Sequence, residues 1–214
     1  MQVVFGGSFD PFHLGHFQML QQCADQLSPE TIRILPCYQQ ALKSHQALDS
    51  KHRLSMLELI AKQLNDDSEV NTIVDDFEIK QNGTNYSIDT LKHLQNSIKQ
   101  PIVFMMGEDS ILNIKKWKHW QDILNYCHIA VVKRNGDQKN NDLKESLPSD
   151  WQKNWLDTLD FKHKIHNTQF GYIGQIEMDC VDINSSHIRE NIEDSQVLLP
   201  AVIFNYLNEN KLYK

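Results

Sequence analysis

The eleven residues GGSFDPFHLGH, Gly6 to His16, set two imidazoles three positions apart, His13 and His16, behind a glycine pair. They follow directly on the apolar run Val3–Phe5. A glycine-rich turn between a strand and a helix is an anion site, because free helix amides and the helix dipole converge there on a ligand that the bare backbone admits. The common versions of such a turn are excluded. G-x-x-x-x-G-K-[ST] needs a lysine after Gly15, where His16 stands, and G-x-G-x-x-G needs glycines at other offsets. An imidazole in that place donates a hydrogen bond to a phosphate oxygen from a short stem, close to a reacting phosphorus. Two histidines at i, i+3 also suit a metal, but no third ligand and no H-E-x-x-H pattern accompany them. A plain surface pair is the remaining alternative, and the preceding strand and glycines argue against it. Asp10-Pro11 initiates a turn, and a carboxylate beside phosphates would repel them. Asp10 is therefore expected to order the loop by hydrogen-bonding its backbone.

A second anion-facing element lies near the end, in INSSHIRENI (Ile183–Ile192). Ser185 or Ser186 is expected to cap a helix whose first turn carries Arg189, so that amides and guanidinium face one anion. Read alone, this would be an ordinary capped helix with a solvated arginine.

The elements that position these residues follow from hydrophobic spacing. Val3–Phe5 and Thr31–Pro36 read as buried strands. Between them Leu14, Phe17, Leu20, Ala24 and Leu27 mark an amphipathic helix, broken by Ser28-Pro29. After the polar loop CYQQALKSHQALDS comes a helix carrying Leu54, Leu57, Ile60, Ala61 and Leu64, and Val70–Ile79 is expected to form one or two strands. Ser87 is expected to cap a helix bearing Ile88, Leu91, Leu94 and Ile98. The apolar run after Pro101, closed by Gly107, and the segment His128–Gly136 both read as a strand followed by glycine. Asn135–Asp150 is polar enough for a surface loop. A short helix with Trp151 and Trp155, strands near Ile165 and at Tyr172–Ile176, and two closing helices complete the chain, with Pro200 in the first turn of the last.

Alternating strands and helices predict an α/β fold, a doubly wound parallel sheet with flanking helices and a small C-terminal helical subregion from about residue 180. A chain of 214 residues suits a single domain. Ligands of such sheets bind beyond the carboxyl ends of the strands, which here are the loops after Phe5, Pro36, Met106 and Val132. A net charge of −7 argues against non-specific nucleic-acid binding. Cys23, Cys37, Cys127 and Cys180 form no C-x-x-C pair, so reduced thiols are expected. With no signal peptide and no apolar segment of bilayer length, the sequence predicts a soluble cytoplasmic protein without a membrane partner.

GGSFDPFHLGH resembles the G-G-[ST]-F-D-P-x-H-x-G-H signature of the nucleotidylyltransferase superfamily, distant relatives of class I aminoacyl-tRNA synthetases. The resemblance implies a Rossmann-like fold that moves a nucleoside monophosphate from a triphosphate onto a phosphate and releases pyrophosphate. It implies His13 and His16 as catalytic residues, with Gly7, Ser8 and Phe9 around the bound ATP. The element at 183–189 resembles I-S-[SA]-T-x-I-R, which grips the triphosphate through Ser186 and Arg189; Asn184 replaces the usual first serine and Ser186 the threonine.

The middle of the chain narrows the resemblance to bacterial nicotinate-mononucleotide adenylyltransferases. MMGEDSILNIKKW (105–117) is similar to their G-x-D-S-[LI]-x-x-x-x-x-W, implying Asp109 at the adenosine ribose, Gly107 beside the bound ATP and Trp117 on the pyridine ring. Trp120 is read as a core residue. GTNYSIDTL (83–91) is similar to S-Y-T-x-x-T-L, implying Tyr86 against the ring and Ser87 on its carboxylate. Of P-x-x-x-P-P-H-K the chain keeps Pro36 and Lys43, implying Lys43 at a phosphate; VVKRNG resembles V-x-R-[PR]-G, implying Arg134 at adenine or phosphate. The closing LLPAVIFNYLNENKLY also follows the family pattern. The implied partners are ATP with its Mg²⁺ and nicotinate mononucleotide or, less well, its amide, with a homo-oligomer left open and no dedicated metal cage. Phosphopantetheine adenylyltransferases share the opening motif but are shorter and lack the tryptophan segment. A non-catalytic nucleotide sensor would be expected to lose a histidine or the arginine.

Overall fold

Val3, Val4 and Phe5 are all buried, as are Ile102 to Met106, so both strands must be covered on both faces. The computed structural model describes residues 1–40, 47–134, 143–178 and 183–213, and of Gln40 and Arg134 the backbone only. Lys43, Cys180 and the expected loop at 135–142 lie outside the described residues. The strands are β1 (Gln2–Gly7), β2 (Thr31–Pro36), β3 (Gln39–Gln40), β4 (Asn71–Val74), β5 (Thr84–Asn85), β6 (Ile102–Gly107), β7 (His128–Arg134) and β8 (Ile173–Met178). The helices are α1 (Leu14–Leu27), α2 (Ser50–Asp67), α3 (Phe77–Gln81), α4 (Ser87–Ser97) and α5 (Glu108–Leu112), followed by α6 (Leu143–Ser146), α7 (Ser149–Gln152), α8 (Thr158–Asn167), α9 (Ser185–Glu190) and α10 (Ala201–Glu209). Short 3-10 turns occupy Ile114–Lys116, Trp120–Asn125 and Glu193–Leu198.

Among the described residues six strands form one sheet, every pairing parallel, in the order β4-β2-β1-β6-β7-β8. The chain runs outward from β1 through β2 to β4, then returns to the other side of β1 and runs outward through β6, β7 and β8. The order reverses between β1 and β6, which is where a doubly wound sheet opens a ligand crevice. A two-residue parallel ladder, β3 with β5, joins the loop after β2 to the segment before α4.

Side-chain alternation divides the core. Val3 and Phe5 join Phe17, Leu20 and Cys23 of α1, Met56, Leu57 and Ile60 of α2, Phe161 and Ile165 of α8, and Ile203 and Leu207 of α10. Val4 and Phe104 join Ile88, Leu91 and Leu94 of α4, Ile111 of α5 and Trp151 of α7 on the opposite face. Burying each such side chain is worth about 1.5–3 kcal/mol, which is what holds the helices to the sheet. Helix α8 lies so close to β8 that a Cβ at Gly174 would fall 2.2 Å from Cγ of Phe161.

The structure departs from the expected elements at five points. Val70–Ile79 is one strand and then α3, because Asp75 accepts from the Phe77 N–H and from Arg33 and turns the chain after Val74. Ile165 sits in a helix, not a strand: Asp157 caps α8 by accepting from the Asp160 N–H, and Phe161 and Ile165 share its buried side. The stretch to Asp150 is not all loop, since burial of Leu143 and Leu147 folds α6 and the start of α7 against the second core; Trp155 falls outside α7 and pairs with Ile173. Neither expected serine cap forms. Tyr86 holds the N-cap position of α4 and Asn184 that of α9, where it accepts from the His187 N–H, while Ser185 Oγ donates to Pro11 O.

Cys23 and Cys127 are buried free thiols, and burial pushes both thiols well above their usual range. No helix among the described residues is long and apolar enough to cross a membrane. At the amino end of β7, His128 is fully buried; its Nε2 donates to Thr168 O (3.0 Å) and its Nδ1 accepts from the Tyr172 N–H (3.2 Å), so the ring is neutral. Burial lowers its pKa, an effect that the Thr168 carbonyl opposes. The unfolded chain therefore takes up this proton first, and the stability involved is whole above about pH 6.5 and lost as pH falls below it toward the folded value. Urea unfolding between about pH 7 and pH 5 is expected to show a smaller loss of stability in His128→Gln than in the parent, by up to about 1.4 kcal/mol per pH unit. Parallel pH profiles in the two proteins would contradict this.

Candidate active site

A cavity of about 1060 Å³ opens where β1 and β6 end, at the reversal of strand order. Its wall combines the end of β1 with the start of α1 on one core face, and the starts of α4 and α5 on the other. Gly7, Ser8, His13, His16, Tyr86, Ser87, Gly107, Asp109 and Trp117, widely spaced in sequence, all line it.

His13 takes the N-cap position of α1 in an extended conformation, and its backbone N–H donates to Nδ1 of His16, 3.3 Å away. An Nδ1 that accepts leaves the proton of the neutral ring on Nε2, so His16 is a donor at its far nitrogen. The two imidazoles stack at 3.7 Å. The His13 ring lies over Gly15, where a Cβ would come within 3.1 Å of its Nδ1, so any side chain there would press the ring out of its present position. Phe5, Phe9 and Phe12 surround His16 with ring centres 5.9, 5.2 and 5.3 Å away. Phe9 is buried at φ +48 and packs beneath the histidines instead of lining the cavity.

Arg53 of α2 holds this loop from below. It is 1% exposed, and its guanidinium donates to Ser8 O (2.9 Å), Cys37 O (2.7 Å), Tyr38 O (3.3 Å) and Leu48 O (2.9 Å). One side chain thus satisfies carbonyls from the loops after β1 and β2 and from the approach to α2, with the charge solvated by backbone dipoles. Its sequence signal is spacing: Arg53, Leu57, Ile60 and Leu64 follow the i, i+4, i+7, i+11 buried stripe of α2.

Among the described residues, Asp10 anchors its loop through distant partners. Its buried carboxylate accepts from the Leu48 N–H (3.2 Å) and the Tyr213 hydroxyl (2.5 Å), and Arg189 Nη1 lies 3.7 Å from it. Burial first, and then Asp10, pushes the Tyr213 phenol upward, which keeps it protonated as the donor. Arg189 donates to Asp10 O (2.7 Å) and Ser186 Oγ (3.0 Å); the preceding Ile183, Asn184 and Ser185 line the cavity, and Ser186 and Arg189 themselves do not. Arg134 ends β7, and its side chain, like all of Lys43, lies outside the described residues.

On the other face Trp117 sets its edge against Phe104, ring centres 6.3 Å apart, and Trp120 packs half-buried against Trp151. Glu78 and Lys118 line the cavity without having been singled out in the sequence. Glu78 is buried and accepts from Thr90 Oγ1 (2.6 Å); burial raises its carboxyl pKa, opposed by that bond. Asn85 links the same segment to the Tyr38 N–H (2.8 Å) and to Glu78 O.

The cytidylyltransferase-like family model matches residues 4–191. Over 99% of its length the chain is 32% identical to the probable nicotinate-nucleotide adenylyltransferase of Pseudoalteromonas atlantica, covering 94% of that protein. Over 98% it is 34% identical to that of Psychromonas ingrahamii, covering 95%. The fold superposes on the Plasmodium falciparum nicotinic acid mononucleotide adenylyltransferase complexed with NaAD, with a TM-score of 0.75 at 17% identity, over 99% of this chain and 96% of that one.

The loop is expected to depend on its distant anchors. Tyr213→Phe leaves the buried Asp10 carboxylate one donor short and should lower the unfolding free energy by about 1–3 kcal/mol in urea denaturation. Unchanged stability would show that this contact contributes nothing.

Proposed function

Because the chain belongs to the cytidylyltransferase-like family and to the nicotinate-nucleotide adenylyltransferases, we propose that its cavity joins ATP to nicotinate mononucleotide, giving nicotinate adenine dinucleotide and pyrophosphate. The observation that carries this reading is the stacked His13–His16 pair at the β1–α1 turn, with Nε2 of His16 fixed as a donor.

A phosphate oxygen of the mononucleotide attacks the α-phosphorus of ATP, and the bond to the bridging oxygen of pyrophosphate breaks. The attacking oxygen is already ionised at neutral pH, so no general base is needed. The obstacles are repulsion between two anions and the entropy of aligning them, which positioning and preorganised donors overcome. In this reading His16 Nε2–H meets the α-phosphate as negative charge grows on it, and His13 orients the phosphates. The backbone at Gly7 and Ser8 lies alongside, and Phe9 holds His16 in place. Asp109 takes the ribose, Gly107 lies beside the bound ATP, and Arg134 takes the adenine or a phosphate. Ser186 and Arg189 hold the β- and γ-phosphates where these extend past the Ser185 edge of the cavity, with guanidinium N–H groups beyond the one on Asp10 O as donors. Trp117 and Tyr86 take the pyridine ring, Ser87 its carboxylate, and Lys43 the mononucleotide phosphate. Magnesium arrives as part of the ATP substrate.

We read residues 1–214 as one domain of a soluble cytoplasmic enzyme, a reading supported by Ile203 and Leu207 of α10 lying in the same core as β1. The test is pyrophosphate release from Mg²⁺-ATP with nicotinate mononucleotide, its amide and phosphopantetheine as acceptors. Turnover is expected with the first, and turnover with phosphopantetheine alone would overturn the reading. His16→Ala should lower kcat at least about 10²-fold with an unchanged thermal midpoint, the cost of one transition-state donor. Near-normal turnover would remove His16 from the mechanism.

A further inference from the structure

The cavity wall formed by the start of α4 and by residues 116–118 carries an ammonium group that the mechanism above does not use. Nζ of Lys118 lies 4.4 Å from the centre of the Tyr86 ring and 3.0 Å from Asp89 Oδ2. Lys118, Tyr86, Ser87 and Trp117 line the same cavity. The ring quadrupole and the carboxylate together hold the charge at the aromatic part of the site. The lysine side chain is 41% exposed, so the ammonium keeps solvent contact and donors to spare.

The acid and amide forms of a pyridine mononucleotide differ by one full negative charge on the ring substituent. Flat aromatic surfaces such as Trp117 and Tyr86 accept either ring alike. A hydroxyl such as Ser87 donates equally to a carboxylate or to an amide carbonyl. A cation beside those rings discriminates, because it attracts the anion and gains little from the neutral amide. Asp89 is the ammonium's present partner, but both side chains are partly exposed, so the pair is weak and water can solvate the aspartate when a ring carboxylate takes its place. Glu78 is held by Thr90 with its carboxyl shifted toward the protonated form by burial.

Building on the function proposed above, we infer that Lys118 is a specificity-determining residue that selects the acid mononucleotide by pairing with its ring carboxylate. The experiment compares kcat/KM for nicotinate mononucleotide and for its amide, both with Mg²⁺-ATP, in the parent, Lys118→Met and Lys118→Arg, each checked for an unchanged thermal midpoint. The methionine variant should lower the acid-to-amide ratio at least about tenfold, the worth of one charge-assisted bond, and arginine should restore most of it. An unchanged ratio overturns the inference, including the case in which both substrates weaken equally because Lys118 meets the shared phosphate. Turnover of neither mononucleotide by the parent protein overturns the adenylyltransferase reading itself, which is a separate result.

Discussion

The backbone N–H of His13 points at Nδ1 of His16, and this contact decides which nitrogen of His16 carries a proton. With Nδ1 accepting, the opposite nitrogen is a donor in the neutral ring and stays one if the ring gains a second proton. The surroundings make that geometry rigid. Phe5, Phe9 and Phe12 box in His16, Gly15 leaves room for the His13 ring, and Arg53 and Asp10 fasten the loop to α2 and the C-terminus. Donors fixed before the ligand arrives cost no reorganisation during reaction, the condition under which a hydrogen bond lowers a barrier.

The same constraint explains how an acidic protein can serve two anionic substrates. The net charge of −7 is spread over a surface whose distant charges are screened beyond about 8 Å at physiological salt. The crevice itself is lined by short-range donors: the imidazoles of His13 and His16 on the β1–α1 side, and the Lys118 ammonium and Ser87 hydroxyl on the α4 side. The reversal of strand order between β1 and β6 brings these two sets to one opening. Each set rests on its own hydrophobic core, so the aromatic wall and the histidine wall are supported from opposite faces of one sheet.

Much of this was legible in the sequence, for identifiable reasons. The buried runs at Val3–Phe5 and Ile102–Met106 and the three- and four-residue spacing of α1 are periodic signals that tertiary contacts reinforced. The histidine loop announced itself through residue type and spacing. Short apolar stretches were ambiguous, and there polar partners decided: Asp75 turned Val70–Ile79 into a strand and a helix, and Asp157 capped Ile165 into α8. Hidden altogether were contacts between distant residues. Arg53 reaches Ser8 across 45 positions and Tyr213 reaches Asp10 across 203, and nothing local marks either pair. Arg189 illustrates the limit of a motif, which implied a guanidinium for phosphates but not the hydrogen bond by which it braces the Asp10 carbonyl.

The central claim concerns where one ring nitrogen points during adenylyl transfer. A crystal structure with a non-hydrolysable ATP analogue and nicotinate mononucleotide both bound tests it most directly. This account requires an α-phosphate oxygen within about 3 Å of His16 Nε2, with Nδ1 still held by the His13 N–H. An α-phosphate seated away from both imidazoles, with the histidine stack packed only on Phe9 and Phe12, would contradict it.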